Sequence, residues 1–226
     1  MVKGQHAFVH DSVKNYGYNI VGDFSIVLEN VILGYPTSDI LEKLRDCTDK
    51  KMETLSYNGC RIGHHTILRS NVVVYKDTSI GNYVRTGHNV LIREECTVGD
   101  YVLLGTNVVI DRSVVIGSHV SIQSSVYIPT STIIEDYVFL GPNCVLLNDR
   151  YPIRIGNASL EAPILRKGVT IGGNATILPG IEVGEGSLVT ASAVVTRNVP
   201  PWHMAVGSPA RSFSLKEELK VYNRID

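Results

Sequence analysis

Aliphatic residues recur at every sixth position through the middle of the chain. The positions at this spacing are Ile62, Leu68, Val74, Ile80, Thr86, Ile92, Val98, Leu104, Ile110, Ile116, Ile122, Ile128, Ile134 and Leu140. Thirteen of these fourteen residues are aliphatic, and the residue four places after each is Val, Thr or Cys. An amphipathic helix repeats at about 3.6 residues and a half-buried strand at about 2, so neither keeps this register. The period predicts a repeat architecture.

The period predicts an all-β, parallel β-helix shaped as a triangular prism, in which each hexapeptide supplies one short strand and one corner. Three hexapeptides close a coil, so residues separated by three hexapeptides lie in adjacent coils, at a spacing of about 4.8 Å. The recurring aliphatic residue and the one four places later face the interior, where Cys60, Cys96 and Cys144 act as small apolar fillers. A glycine often follows the aliphatic residue, and we expect it to permit unusual corner dihedrals. These glycines are Gly63, Gly81, Gly87, Gly99, Gly105 and Gly117.

The register has two interruptions and an irregular end. The separation of Leu140 and Leu165 is not a multiple of six, so a loop is predicted near 147–164. A polar stretch predicts a helical insertion near 38–54, with Ser38 or Asp39 as its cap. We therefore assign 1–211 to the β-helix domain and 212–226 to a helical tail. In the tail, Ser214 and Glu217 have the spacing of a capping box.

Composition excludes some partners. The chain has 21 Lys plus Arg and 22 Asp plus Glu, a net charge of -1, so no basic surface predicts nucleic acid or an anionic membrane as a partner. The first residues hold no apolar core typical of a signal peptide, so we expect a cytoplasmic protein. The four cysteines show no CxxC spacing, which argues against a zinc knuckle or a redox pair.

Two stretches carry a resemblance to known proteins. IGGNATILPGIEVGEGSLVTASAVVTRNVPPW at 171–202 and AVGSPAR at 205–211 resemble the C-terminal signature of hexapeptide-repeat acyltransferases that use acetyl-coenzyme A. VSIQSSVYIPTSTIIEDYVFLGPNCVLLNDRYP at 120–152 is similar to nucleotide-sugar 3-amino-sugar N-acetyltransferases. The resemblance implies left-handed coiling, a homotrimer with active sites between subunits, and acetyl transfer to the amino group of a UDP- or dTDP-linked amino sugar. Relatives with this fold include O-acyltransferases, γ-type carbonic anhydrases and non-catalytic assembly proteins, which remain the alternatives.

His88 is the first candidate for the base that takes the proton of the attacking amine. It follows the interior residue Thr86 by two places, so its side chain is predicted to point outward. The segment RTGHNVLI resembles the catalytic histidine motif of lipid A acyltransferases built on this fold. The alternative is a solvent-exposed corner histidine without a catalytic role.

The segment Asn148-Asp149-Arg150-Tyr151-Pro152 is the second candidate centre. Its Asn-Asp before Tyr-Pro resembles the loop that reaches the sugar and the reacting amine in 3-amino-sugar acetyltransferases. Asp149 would orient an amine that attacks unaided, and the alternative is an ordinary turn. Relatives often carry Glu at the position of Thr130 and Asn-Asn at Ser124-Ser125. The predicted catalytic residues are His88, Asn148 and Asp149, and the predicted substrate-binding residues are Gln123, Ser124, Thr130, Arg150 and Tyr151.

The donor site is predicted from residues that stack on each other. Gly173 and Ala191 are one coil apart in the register and share one outward position, so they form a strip along which a pantetheine arm can approach the backbone. Lys167, Arg197 and Arg211 are candidate partners of the coenzyme phosphates, and Arg211 matches the Pro-Ala-Arg end of the signature.

No metal is expected. His65 and His119 are separated by nine hexapeptides, which places them three coils or about 14 Å apart. One zinc ion cannot bridge that distance within a subunit. The resemblance to the carbonic anhydrases of this fold would require two histidines five places apart, which this sequence lacks.

Overall fold

A computed structural model describes residues 1–46, 56–154 and 159–225. They form three sheets, which we call A, B and C, wound into one triangular rod, and the strands are parallel except for the last one of sheet B. Sheet A contains Val2–Lys3, Tyr18–Val21, Asn58–Ile62, Ser79–Ile80, Thr97–Val98, Val115–Ile116, Ile133–Ile134, Ile164–Leu165 and Glu182–Val183. Sheet B contains Phe8–Val9, Ile26–Val27, Ile67–Leu68, Arg85–Thr86, Leu103–Leu104, Ser121–Ile122, Phe139–Leu140, Thr170–Ile171, Leu188–Val189, His203–Val206 and Arg211–Ser214. Sheet C contains Lys14–Asn15, Ile32–Tyr35, Val73–Tyr75, Leu91–Ile92, Val109–Ile110, Tyr127–Ile128, Val145–Leu146, Thr176–Ile177 and Val194–Val195.

Strand pairing follows the predicted coil of three hexapeptides. Ile80 pairs with Val98, and Val98 pairs with Ile116. Across the loop the step along the chain is longer, because Leu140 pairs with Ile171. We call the turns from sheet A to B, from B to C and from C back to A corners A, B and C. The chain leaves the rod at corner C in two places, after Tyr35 and after Leu146.

The interior positions predicted from the period are buried. Every residue of both six-residue series between Ile62 and Cys144 is no more than 3% exposed. Threonines in this apolar interior bond neighbouring carbonyls, as Thr66 Oγ1 does to Gly81 at 2.9 Å. Burial raises the pKa of Cys60 to about 12 and that of Cys96 to about 11. Cys60 and Cys96 are therefore fillers rather than reactive thiols.

The corner glycines were expected to supply unusual dihedrals, and this reason was wrong. The left-handed dihedral falls two residues later, as at Tyr83 (φ 57°) and Tyr101 (φ 56°). Gly81 is required for a different cause, since a Cβ there would lie 2.6 Å from the backbone of Gly99 in the next coil. Close approach of successive coils excludes a side chain at this position.

The helical insertion and the tail differ from their predicted caps. The α-helix, α1, covers Ser38–Asp46, and the carbonyl of Thr37 accepts the amide of Leu41 at 3.0 Å. Thr37 therefore takes the cap position predicted for Ser38 or Asp39. The remainder of the predicted insertion, 47–54, lies outside the described residues.

In the tail, Ser214 belongs to the strand Arg211–Ser214, which pairs antiparallel with His203–Val206. The helix that follows is one 3-10 turn, Glu217–Leu219, without a side-chain cap. The predicted Ser214–Glu217 capping box is therefore wrong. Within the described residues, no helix is both long and apolar enough to cross a membrane.

Candidate functional site

Corner B carries a file of outward residues, one per coil. Strand pairing places the members two residues after the interior positions of sheet B. From the lower coils upward the file consists of His88, Thr106, Ser124, Pro142, Gly173 and Ala191. The predicted base, one predicted substrate residue and the predicted donor strip therefore lie on one edge of the rod.

His88 is exposed at the lower end of this file, as its position after Thr86 predicted. Its amide donates to Thr106 Oγ1 at 3.3 Å, and its carbonyl accepts the amide of Asn107 at 2.9 Å. A hydrogen bond from the Ser70 hydroxyl is the main cause that lowers the pKa of the nearby Glu29 carboxyl, and His10 and His88 make smaller electrostatic contributions. From the coil spacing, His88 lies about 10 Å below Ser124 and about 19 Å below Gly173.

The upper end of the file is free of long side chains. The carbonyl of Gly173 accepts the amide of Ser192 at 2.9 Å, and the carbonyl of Pro142 accepts that of Asn174 at 2.9 Å. A Cβ added to Gly173 would lie 3.2 Å from the Pro142 oxygen, a tight contact that a small shift can relieve. Ala191 is exposed. The strip covers three successive coils, and a narrow chain can contact the backbone there.

The three predicted phosphate partners occupy two places. Arg197 and Arg211 line one pocket of ≈ 500 Å³ at the end of the rod. The turn before Arg211 is bonded to the strand after the strip, because Ala210 donates its amide to Val194 at 2.8 Å. Lys167 lies instead on corner A, where its ammonium is 5.8 Å from the ring centre of Tyr137. The structure does not bring Lys167 to the strip.

The extruded loop begins on corner C directly above Thr130. Asn148 Nδ2 lies 3.5 Å from the Thr130 carbonyl, as their one-coil spacing predicted. Arg150 anchors the loop, since its guanidinium donates to the Pro179 carbonyl at 3.1 Å and lies 3.7 Å from Glu161. The loop therefore leans toward the upper coils of the rod.

Two loop side chains remain on the surface. One oxygen of Asp149 accepts the Tyr151 amide at 2.9 Å, which forms a turn, and Tyr151 is 55% exposed. On corner B, Gln123 donates to Ser121 Oγ at 2.9 Å. The substrate residues predicted on the loop and on corner B are thus on different edges of one chain.

Sequence reasoning missed a charged cluster on corner C below Thr130. Arg93 bonds the buried carboxylate of Glu94 at 2.9 Å and lies 3.7 Å from Asp111. Tyr127 donates its hydroxyl to Asp111 at 2.8 Å, and burial is the main cause that raises the pKa of Tyr127 to about 12. The detectable signal was the one-coil spacing of Arg93 and Asp111, each one place after an interior residue.

His65 and His119 stack on aromatic neighbours. His65 is 4.8 Å from Tyr83 between ring centres, and His119 is 4.9 Å from Tyr101. Across 1–46, 56–154 and 159–225, no three His, Cys, Asp or Glu side chains are grouped to hold a metal ion.

Two stretches match families of repeats. Residues 77–112 match the family described as bacterial transferase hexapeptide (six repeats), and residues 167–197 match the hexapeptide repeat of succinyl-transferase. Among solved structures, a Bacillus cereus chain described as an acetyltransferase superposes with a TM-score of 0.54 at 20% identity, over 85% of this chain and 88% of the other. The fold is a left-handed parallel β-helix. The polySia-specific acetyltransferase NeuO shares it, with a TM-score of 0.50 at 17% identity over 91% and 88% of the two chains.

Curated relatives match over shorter stretches. A Schizosaccharomyces pombe protein that carries an acetyltransferase name is 43% identical over 79 residues, which are 33% of this chain and 38% of the relative. A serine acetyltransferase of Buchnera aphidicola is 53% identical over 49 residues, which are 22% of this chain and 19% of the relative. The chain therefore aligns with less than two fifths of the length of either relative.

Proposed function

We propose that the protein is an acetyl-coenzyme A-dependent N-acetyltransferase that acts on the amino group of a nucleotide-linked amino sugar. The observation that carries this proposal is the file on corner B. Its upper coils, Pro142, Gly173 and Ala191, offer a strip for the pantetheine arm, and the pocket of Arg197 and Arg211 at the rod's end suits the coenzyme phosphates. Acetyltransferase names among the relatives and the motif at 120–152 support the same chemistry.

The assembly that fits this site is a homotrimer, and the outer face of sheet C supports it. Above Lys14, the charged outward residue of its lowest strand, the outward residues are Ile32, Val73, Leu91, Val109, Tyr127, Val145, Thr176 and Val194. Six of these eight are aliphatic and none is charged. The outer faces of sheets A and B are interrupted by Arg61, Glu182 and Arg85. A face without charge over eight successive coils is typical of an interface between subunits.

A triangular prism that turns sheet C toward a threefold axis places corner B of one subunit beside corner C of the next. The donor strip of one subunit then lies next to the Asn148–Asp149 loop of its neighbour. Rotation about an axis parallel to the rod preserves height, and Asn148 follows Pro142 within the same coil. The loop is therefore level with the lower end of the donor strip, which makes the site complete only in the assembly.

In this arrangement the acceptor amine attacks the thioester carbonyl from the loop side. The new bond joins nitrogen to the acetyl carbon, the bond to sulfur breaks, and coenzyme A leaves as the thiolate. One amine proton is lost to water or to a protein group, and a proton restores the thiol. Asn148 and Asp149 hold the amine, and Ser124 lies on the corner below the strip. We expect the deprotonated amine to attack unaided.

His88 is the competing base. It lies three coils, about 14 Å, below Pro142, so it and the level loop cannot both contact one nitrogen. A histidine base predicts a large loss of turnover in His88→Ala, whereas an orienting loop predicts a small one.

The direct test follows thiol release from acetyl-coenzyme A with UDP- and dTDP-linked amino sugars, and the matching hydroxyl sugars serve as controls. Release that depends on the amino group supports N-acetylation. Release with hydroxyl sugars alone would replace it with O-acyl transfer. No release with either acceptor class, from protein that binds coenzyme A in calorimetry, would contradict the proposed acceptor.

A further inference from the structure

Corner A carries a ladder of aromatic rings. Seven successive corner residues have left-handed dihedrals with φ between 53° and 60°. Their rings stack with centre-to-centre distances of 4.8–5.1 Å. The members are His6, Phe24, His65, Tyr83, Tyr101, His119 and Tyr137. Because each ring covers the face of the next, the ladder follows the rod over its lower coils.

The next two corner residues are glycines, and rings from elsewhere fill their places. Gly168 (φ +69°) would place a Cβ 2.4 Å from the Tyr222 ring, and Gly186 (φ +64°) would place one 2.3 Å from Trp202. The rings of Tyr222 and Trp202 are 5.3 Å apart. Tyr222 belongs to the tail, so residues 221–225 continue the ladder from a distant part of the chain.

Asn223 fixes the tail to the rod by four hydrogen bonds. Its NH2 group donates to the carbonyls of Tyr137 at 2.9 Å, Val169 at 3.1 Å and Gly168 at 3.3 Å, so one of its two N–H groups is shared between two carbonyls. Its amide oxygen accepts the hydroxyl of Thr170 at 2.8 Å. Both polar atoms of this amide group are hydrogen-bonded, which defines a specific docking site.

The charged side chains of Lys167 and Glu185 also contact the docked tail. The ammonium of Lys167 lies 5.1 Å from the Tyr222 ring centre, a distance suited to a cation–π contact. The hydroxyl of Tyr222 donates to the carboxylate of Glu185. Lys167, which the sequence suggested for a coenzyme phosphate, is therefore engaged with the tail.

The docked tail contacts the strand that leads to the donor strip. Thr170–Ile171 crosses the rod from corner A to corner B and continues directly into Gly172 and Gly173. Asn223 bonds both Val169 and Thr170, at the start of this crossing. We propose that Asn223 is a positioning residue: the tail holds this strand in place, and thereby sets the conformation of the strip that receives acetyl-coenzyme A. This inference rests on the donor site proposed above.

The test compares Asn223→Ala with Arg224→Ala, a neighbouring exposed residue, as the matched control. Loss of the four hydrogen bonds should raise KM for acetyl-coenzyme A about tenfold and leave KM for the acceptor unchanged. Hydrogen exchange at the amides of Thr170 and Gly172 should accelerate in the same variant. Asn223→Asp keeps the acceptor for Thr170 and should give an intermediate KM.

Two further measurements separate the outcomes. If Ala191→Trp leaves KM for acetyl-coenzyme A unchanged, the donor strip itself is misplaced. If Ala191→Trp raises KM but Asn223→Ala lowers only Tm, the tail is merely structural and the inference is overturned. A chain that ends at Lys220 should show the high KM, and the peptide Val-Tyr-Asn-Arg-Ile-Asp added in excess should lower it. Failure of this rescue, with the peptide shown to bind, would also overturn the inference.

Discussion

Gly172 and Gly173 are adjacent, and alanine at each should have opposite consequences. A Cβ on Gly172 would lie 2.3 Å from the amide nitrogen of Ala191, and because the obstacle is backbone, the clash is costly to relieve. A Cβ on Gly173 would meet the Pro142 oxygen at 3.2 Å, a contact that a shift of a few tenths of an ångström relieves. Gly172→Ala therefore disrupts the coil, whereas Gly173→Ala only adds a methyl group to the donor strip.

The magnitudes follow from these contacts. Gly172→Ala forces two coils apart, and we expect it to lower the free energy of unfolding by about 1–3 kcal/mol, the range for overpacked sites. Gly173→Ala removes chain freedom in the unfolded state, a gain of about 0.4–1 kcal/mol that offsets the mild contact. Its stability should thus stay within about 1 kcal/mol of the parent.

Activity separates the two variants further. Gly173→Ala should raise KM for acetyl-coenzyme A, because the methyl group stands where the pantetheine arm approaches the backbone, and should leave KM for the acceptor unchanged. Chemical denaturation and steady-state thiol release measure both quantities on the same preparation. An unchanged donor KM in a stable Gly173→Ala protein would refute the strip, and a fully stable Gly172→Ala protein would refute the packing argument.

Three further predictions concern the assembly, the base and the interior. Val109→Lys, on the outer face of sheet C, should be monomeric in sedimentation velocity and have low activity. Thr97→Lys, on the outer face of sheet A, should remain trimeric. A trimeric, active Val109→Lys protein would show that sheet C is not the interface. His88→Ala should lower turnover less than tenfold, whereas Asp149→Asn should weaken acceptor binding and turnover together. A loss of turnover of about 10²–10⁴ in His88→Ala would instead identify the histidine as the base. Val126→Asp buries an unpaired charge at a residue that is 1% exposed, so soluble, stable protein from this variant would contradict the dry interior.

The interior was predictable because a prism of constant cross-section repeats one environment. Each coil presents the same slot, so the period alone named the buried residues, and even Thr86 is fully buried as the register required. The reason for the glycines was not predictable. A position that needs a left-handed dihedral and a position that needs space look alike in sequence, and only the 2.6 Å approach at Gly81 distinguishes them.

The candidate site was predictable in part, because strand register relates residues that are one coil apart. It placed Asn148 above Thr130 and Gly173 below Ala191. The strand register gave no information on contacts that segments outside the coils make with the rod. The bond between Asn223 and Tyr137 joins residues 86 positions apart, and nothing in the period relates a tail to the corner on which it docks. For this reason the sequence suggested Lys167 as a partner of a coenzyme phosphate, whereas in the structure its neighbours are the rings of Tyr137 and Tyr222.

In the proposed trimer, the same register favours the Asn148–Asp149 loop over His88 as the reaction centre. Because the coils are equal, the number of hexapeptides between two residues gives their separation along the rod. Rotation about a threefold axis parallel to the rod does not change that separation. Asn148 shares a coil with Pro142, while His88 precedes Pro142 by nine hexapeptides, which is three coils. The loop leans upward through Arg150 to the Pro179 carbonyl, so it does not descend toward His88. A donor strip that occupies the coils from Pro142 to Ala191 therefore meets the neighbouring loop first, and His88 can serve as base only if the thioester extends three coils beyond the strip.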